Sequence, residues 1–155
     1  MQTEKENSIL SQISDRFSEA DAAQAAVAER RIFLSVPPER FPDILRFAAE
    51  ELGFDHLCTI TGLDTGDGYE FIYHIADQNG IVLNLKFLPG GGDGVVIPSV
   101  LPVYQGATFY ERELESLLGV TVDGLPEGRQ YPLPDNWPKG QYPMRKDWKP
   151  PVRNV

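Results

Sequence analysis

Seven prolines between residues 126 and 155 set the first limit on this chain. Pro126, Pro132, Pro134, Pro138, Pro143, Pro150 and Pro151 each lack a backbone N–H, so no helix or central strand can run through the segment. The hydrophobic core must therefore come from the residues before it. The same segment is aromatic and basic: Trp137, Tyr142 and Trp148 punctuate it, and Arg129, Lys139, Arg145, Lys146, Lys149 and Arg153 face only Glu127, Asp135 and Asp147. Six bases against three acids leave an arm of +3 on a chain of formal charge −9, so the body before it carries −12. Such an arm either lies against another protein or folds back on its own acidic body.

At 155 residues the chain suits one domain with extensions. Its apolar fraction of 41% and charged fraction of 24% are ordinary for a globular protein. Cys58 is the single cysteine, which excludes an intramolecular disulfide and suits a reducing, cytosolic compartment. No run approaches the ~18–20 apolar residues a membrane span needs, and the polar opening Met1-Gln2-Thr3-Glu4-Lys5-Glu6 does not read as a secretory signal. Direct membrane insertion is not expected; any attachment would come through partners. The acidic balance argues against nucleic acid as a partner, since phosphate binding needs a basic surface.

The periodicity predicts a two-layer α+β domain, with helices packed on one face of a mostly antiparallel sheet and an extended Pro-rich C-terminal tail. Residues 3–29 read as helix, through Ile9, Leu10 and Ile13 and then five alanines, with a break at 18–21 and Asp21 as a candidate N-cap. Residues 31–36 read as a strand. Phe41, Ile44, Leu45, Ala48 and Leu52 form one helical stripe closed by Gly53. Three strands follow, over 56–63, 69–76 and 81–88, joined by Asp64-Thr65-Gly66-Asp67-Gly68 and Asp77-Gln78-Asn79-Gly80. Their alternation predicts an antiparallel meander with Asn84 and Lys86 facing solvent. A glycine-rich connection, 89–94, reads as a flexible loop; a short strand at 95–100, a helix over 107–118 capped by Gly119 and a strand at 120–122 complete the body. Three parts are expected: an N-terminal helical segment (1–29), an α+β core (30–125) and an extended partner-binding tail (126–155).

No residue set supports a reaction. His56, Cys58 and His74 could approach one another, but no fourth ligand is spaced as in a structural zinc motif, and a sheet-surface histidine with a small buried cysteine accounts for them. Gly90-Gly91-Gly92-Asp93-Gly94 lacks the Gly-Lys-Ser/Thr of a phosphate loop and leads into Val95-Val96-Ile97-Pro98 rather than a helix. Asp64 and Asp67 sit in ordinary turn chemistry. Glu111 and Glu115 are like charges at i, i+4, a mildly unfavourable helix pattern that docking on a basic surface would relieve.

Beyond the charge pattern, Tyr110-Glu111-Arg112-Glu113, Gly119-Val120, Gly124-Leu125-Pro126, Arg129, Leu133-Pro134-Asp135-Asn136-Trp137 and Tyr142-Pro143-Met144-Arg145-Lys146-Asp147-Trp148 occur in the order found in the respiratory-chain NADH dehydrogenase 30 kDa subunit family. The chain resembles this family, which comprises the 30 kDa subunit of complex I and its relatives in membrane-bound NiFe hydrogenases, over about 105–150. Departures stand at Leu125, where the family has histidine, at Gln130, where it has a second arginine, and at Leu117-Leu118, where it has an acid and an aromatic. The form of 131–138 looks closer to energy-converting hydrogenase and formate hydrogenlyase-like subunits.

The resemblance implies a non-catalytic structural subunit, without cofactor, metal or catalytic residues of its own. It would sit in the hydrophilic arm of a membrane-associated NADH:quinone oxidoreductase or NiFe hydrogenase complex. There it would brace the large catalytic subunit and the iron–sulfur subunits, on the cytoplasmic side of the membrane. Arg129, Arg145 and Lys146 would pair with acids on the partner, Trp137, Tyr142 and Trp148 would anchor in apolar pockets, and Glu111, Arg112 and Glu113 would form a companion ion-pair surface; Tyr110 and Asp147 complete the expected contact set. The alternative is a freestanding small-molecule-binding module or enzyme using the 64–68 and 90–94 loops.

Overall fold

The structure, a computed structural model, describes residues 3–18 and 25–150. Its centre is the expected meander: β3 (His56–Asp64), β4 (Tyr69–Ala76) and β5 (Val82–Gly90), paired antiparallel. Along β4 every second residue is buried, and the register sets Tyr73 beside Leu85 on one side and Ile60 on the other. The period-two pattern thus makes one apolar face. β2 (Arg31–Ser35) joins β5 in parallel, placing Ile32 beside Leu83 and Leu34 beside Leu85, and with β1 (Ala25–Ala28) at the far edge the five-stranded order is β1-β2-β5-β4-β3.

Helices cover that face. In α2 (Phe41–Glu50) the buried stripe is Phe41, Ile44, Leu45 and Ala48; the Phe41 ring lies 4.3 Å from that of Phe87 and 4.6 Å from that of Tyr73. α1 (Glu4–Arg16) packs beside α2, burying Ile13. The third helix, α3 (Thr108–Leu118), lies on β3 at Gly62, where a Cβ would come within 2.6 Å of Leu114 and 2.7 Å of Leu118. Flanking α3, β6 (Val96–Pro98) and β7 (Thr121–Asp123) pair in parallel as a separate two-stranded sheet rather than joining the main one.

One expectation fails on the N-terminal side. Ala25–Ala28, read as helix from their propensity, form β1, antiparallel to β2. Propensity is a weak prior, and here tertiary contacts override it: Arg30, at φ 58, turns the hairpin, and its N–H is held at 2.8 Å by Glu6, a buried acid on α1. The candidate cap Asp21 lies outside the described residues. Asn84 also departs from expectation. It is buried, donates to Ile32 O at 3.0 Å and meets Nδ1 of His74 at 2.6 Å, while Thr61 Oγ1 occupies Nε2 at 3.0 Å. A polar network, not solvent, satisfies that strand position. Lys86 pairs with Glu70 at 3.3 Å.

Candidate partner interface

From Gly124 to Pro150 the chain has neither helix nor strand. It is nevertheless placed, because α3 ends in exposed backbone acceptors. Leu117 O takes the Met144 N–H at 3.1 Å, and Leu118 O takes Nε of Arg145 at 2.6 Å. Just after them Gly119, at φ 73, satisfies the helix end and clears space: a Cβ there would meet the Tyr142 ring at 2.4 Å. Tyr142 is covered in turn by the Arg145 guanidinium, 4.5 Å from its centroid. Arg145 also reaches Asp93 Oδ1 at 2.6 Å, tying the arm to the glycine-rich loop. That loop is itself braced, since a Cβ on Gly91 would fall 2.5 Å from Gly68 Cα.

One residue further, Lys146 donates its N–H to Asp64 Oδ2 at 2.9 Å and its Nζ to Thr65 O at 2.8 Å. Asp64 Oδ1 accepts from Gly66 N–H at 2.8 Å. These bonds, the one from Lys146 first, hold the Asp64 carboxyl below its ordinary range. The 64–68 and 90–94 loops are thus bonded to the arm. Nearby, Trp137 and Trp148 stack obliquely with centroids 6.1 Å apart, joined through Gln141: Trp137 Nε1 donates to its backbone oxygen (2.8 Å) and Trp148 Nε1 to its side-chain oxygen (2.9 Å).

The helix half of the expected contact set turns inward. Glu111, Leu114 and Leu118 share the buried face of α3, in line with the buried Ala107 at its N-cap. Glu111 is 0% exposed; it accepts from Val100 N–H at 2.5 Å and from Ser99 Oγ at 2.8 Å. Burial pushes its carboxyl up, against the pull of those two bonds. Glu115 takes Nη1 of Arg112 at 2.8 Å and Val122 N–H at 3.2 Å, so the like-charged pair is relieved inside the chain without a docked partner. Arg112 also bonds Pro126 O, where the arm departs. Tyr110 donates to Cys58 O at 3.1 Å. The Cys58 side chain is half-buried rather than buried.

Other expected contacts are likewise satisfied internally. Arg129 forms a bidentate pair with Asp135 (3.0 and 2.5 Å), and both remain exposed. The half-buried Leu125 and the buried Leu118, positions where the sequence departs from the family pattern, pack against the core. Gln130 bonds Pro134 O at 2.5 Å, stiffening the turn that Arg129 closes.

The surface also carries an apolar patch that the charge-based reading missed. Phe109, 65% exposed, meets the 45% exposed Tyr131 edge to face at 5.2 Å. With Leu133 and Arg112 they line a groove of about 690 Å³ beneath the arm. An aromatic residue on the polar face of α3 was the available signal. Among the described residues no group of three or more His, Cys, Asp or Glu is placed to hold a metal.

Comparison with known proteins gives this α+β body and its basic aromatic arm a family. The model of the respiratory-chain NADH dehydrogenase 30 kDa subunit matches residues 34–153, and the chain belongs to that family. The corresponding subunit of the F(420)H(2) dehydrogenase of Methanosarcina mazei is 34% identical over 145 residues, covering 91% of this chain and 90% of the relative. The membrane-bound hydrogenase subunit beta of Pyrococcus furiosus is 26% identical over 150 residues, covering 94% and 87%. A chain in the structure of the membrane-bound sulfane sulfur reductase, an archaeal respiratory membrane complex, superposes with TM-score 0.83 at 29% identity, covering 94% of this chain and 86% of its own. These relatives are subunits of larger assemblies, and among the described residues no helix is long and apolar enough to cross a membrane.

Proposed function

We propose that the chain is a non-catalytic structural subunit in the hydrophilic arm of a membrane-associated oxidoreductase complex, of the NADH:quinone oxidoreductase or NiFe hydrogenase type. It braces the large catalytic subunit and the iron–sulfur subunits at the cytoplasmic side, held to the membrane by those partners. The observation that carries this reading is the arm. Some 25 residues are ordered by a few hydrogen bonds to the end of α3 and the β3–β4 turn, and the outer surface so built carries Trp137, Trp148, Lys146, Asp147 and the Phe109–Tyr131 pair. Interfaces concentrate their energy in such aromatic and basic residues. Tyr110, Glu111 and Arg112 serve from beneath, fixing α3 and the root of the arm, whereas Arg145 sets the arm's course.

The test is recovery of the assembly from its native membrane through a tag on this chain. The unaltered chain brings down a large subunit and iron–sulfur subunits in fixed ratio. The double variant Trp137→Ala, Trp148→Ala, still folded by circular dichroism, loses them by about tenfold or more, since aromatic hot spots are worth ~2 kcal/mol or more each. Full recovery with the double variant would overturn the arm's role.

A further inference from the structure

β3 is the outermost strand of the main sheet, and among the described residues no strand lies on its free side. An unprotected edge is a template for pairing and is normally blunted by charge, proline, a bulge or a cover. Here the two ends are closed. At one, a bulge falls between Leu57 and Thr59, and Tyr110 bonds Cys58 O; at the other, Lys146 N–H sits on Asp64. Between these closures, Thr59, Ile60, Thr61, Gly62 and Leu63 carry neither charge nor proline.

A groove of about 220 Å³ runs beside that open stretch. It is lined by Ile60, Thr61 and Gly62 of β3, Glu113 and Leu117 of α3, and Met144 of the arm. The Met144 N–H to Leu117 O bond fixes the arm as its far wall, with the Met144 side chain 55% exposed. Glu113 is half-buried, and its carboxylate has no hydrogen bond or ion pair among the described residues, although Glu111 and Glu115 are both engaged. An unpaired acid beside Leu117 and Met144 in this groove is complementary to a cation delivered with an apolar segment.

We infer that residues 59–63 receive an extended segment of a neighbouring subunit by strand addition. That segment carries a lysine or arginine opposite Glu113 and apolar side chains against Leu117 and Met144. Five residues at ~3.4 Å each leave ~17 Å of edge, room for one short strand of similar length. Main-chain bonds to β3 supply the affinity and Glu113 supplies the register. The inference rests on the subunit role proposed above and names a second contact, separate from the aromatic arm.

Hydrogen exchange on the whole chain, free and within the assembly purified from its native membrane, tests it. Peptides covering 58–64 slow by about tenfold or more on assembly, because a new ladder protects their amides, while the central strand β5 is unchanged. Glu113→Lys returns 58–64 to the free rate yet leaves 137–148 protected; Glu113→Gln, which keeps the shape, gives a smaller change in the same direction. Equal rates at 58–64 in the two states, with 137–148 protected on assembly, would overturn strand addition and leave the subunit role standing. Unchanged protection in Glu113→Lys would overturn the charge pairing. Absence of the chain from any such assembly would overturn both readings.

Discussion

The body and the arm of this protein are held by different forces. In the sheet layer, Phe41, Phe71, Tyr73 and Phe87 are almost fully buried and stack on one another across α2, β4 and β5. In the arm no aromatic ring is fully buried. Its path is set by the carbonyls of Leu117 and Leu118 and the carboxylate of Asp64, each bond worth about 1 kcal/mol net. The body therefore stands on apolar burial, which is cooperative and tolerant of surface change. The arm stands on a few directional contacts and leaves its apolar rings half-available to a partner.

Removing a ring from each region separates the two. Phe41→Ala deletes a fully buried side chain that touches two other rings and should cost about 3–5 kcal/mol, read as a drop in the urea midpoint at constant slope. If the arm were part of the same cooperative unit, Trp148→Ala would show a comparable loss. A change within about 0.5 kcal/mol is expected instead, since Trp148 stays half-exposed and packs on Trp137 and Gln141 of the arm itself.

Gly119 is where the arm's Tyr142 seats on the body, and its substitution should be intermediate. Gly119→Ala puts a Cβ on a left-handed backbone, at about 1–2 kcal/mol, and drives it into the Tyr142 ring. The body should still unfold as one transition with a lowered midpoint. The arm should detach first, with faster trypsin cleavage after Lys139 and Arg145 than in the unaltered protein. Equal cleavage rates would show that the arm is held without Tyr142.

How much of this was legible in the sequence follows the same division. The meander and the α2 stripe were readable because burial imposes periods of two and 3.6 on the residues themselves. β1 was not, because four small residues at Ala25–Ala28 carry no alternation strong enough to outweigh helix propensity, and the Glu6 contact that turns the hairpin is distant in sequence. Glu111 could have been placed correctly: it shares the spacing of Ala107, Leu114 and Leu118, but its charge drew the reading outward. The course of the arm left no periodic signal, since a proline-rich strand of chain held by N–H groups at Met144 and Lys146 is specified by where α3 and the β3–β4 turn happen to end.

The smallest expected effect contrasts two carboxylates of the body, Asp64 where the arm is bonded and Glu111 beneath α3, and the two respond to pH with opposite sign. Asp64 is held below its ordinary range by the N–H groups of Lys146 and Gly66, so the native state favours the ionised form. Its contribution is complete above the unfolded value of ~3.9 and is lost as the pH falls through the lower native one. Glu111 is raised by burial, so the native state binds its proton more readily than the unfolded chain does. Its ionisation costs a constant amount above the native value, and acidification from there toward ~4.3 recovers it. Asp64→Asn should therefore lower stability at neutral pH by roughly the 1 kcal/mol of a surface hydrogen bond, read as a slightly lower melting temperature, with the difference from the unaltered protein vanishing in acid. Glu111→Gln keeps an acceptor for Val100 N–H and can donate to Ser99, so it should be tolerated at neutral pH. Relative to that variant, the unaltered protein should gain stability as the solution is acidified toward ~4.3. Melting curves of the three proteins from neutral pH to about 3 read both trends; parallel curves for Glu111→Gln would mean that its carboxylate is as well solvated in the fold as in the unfolded chain.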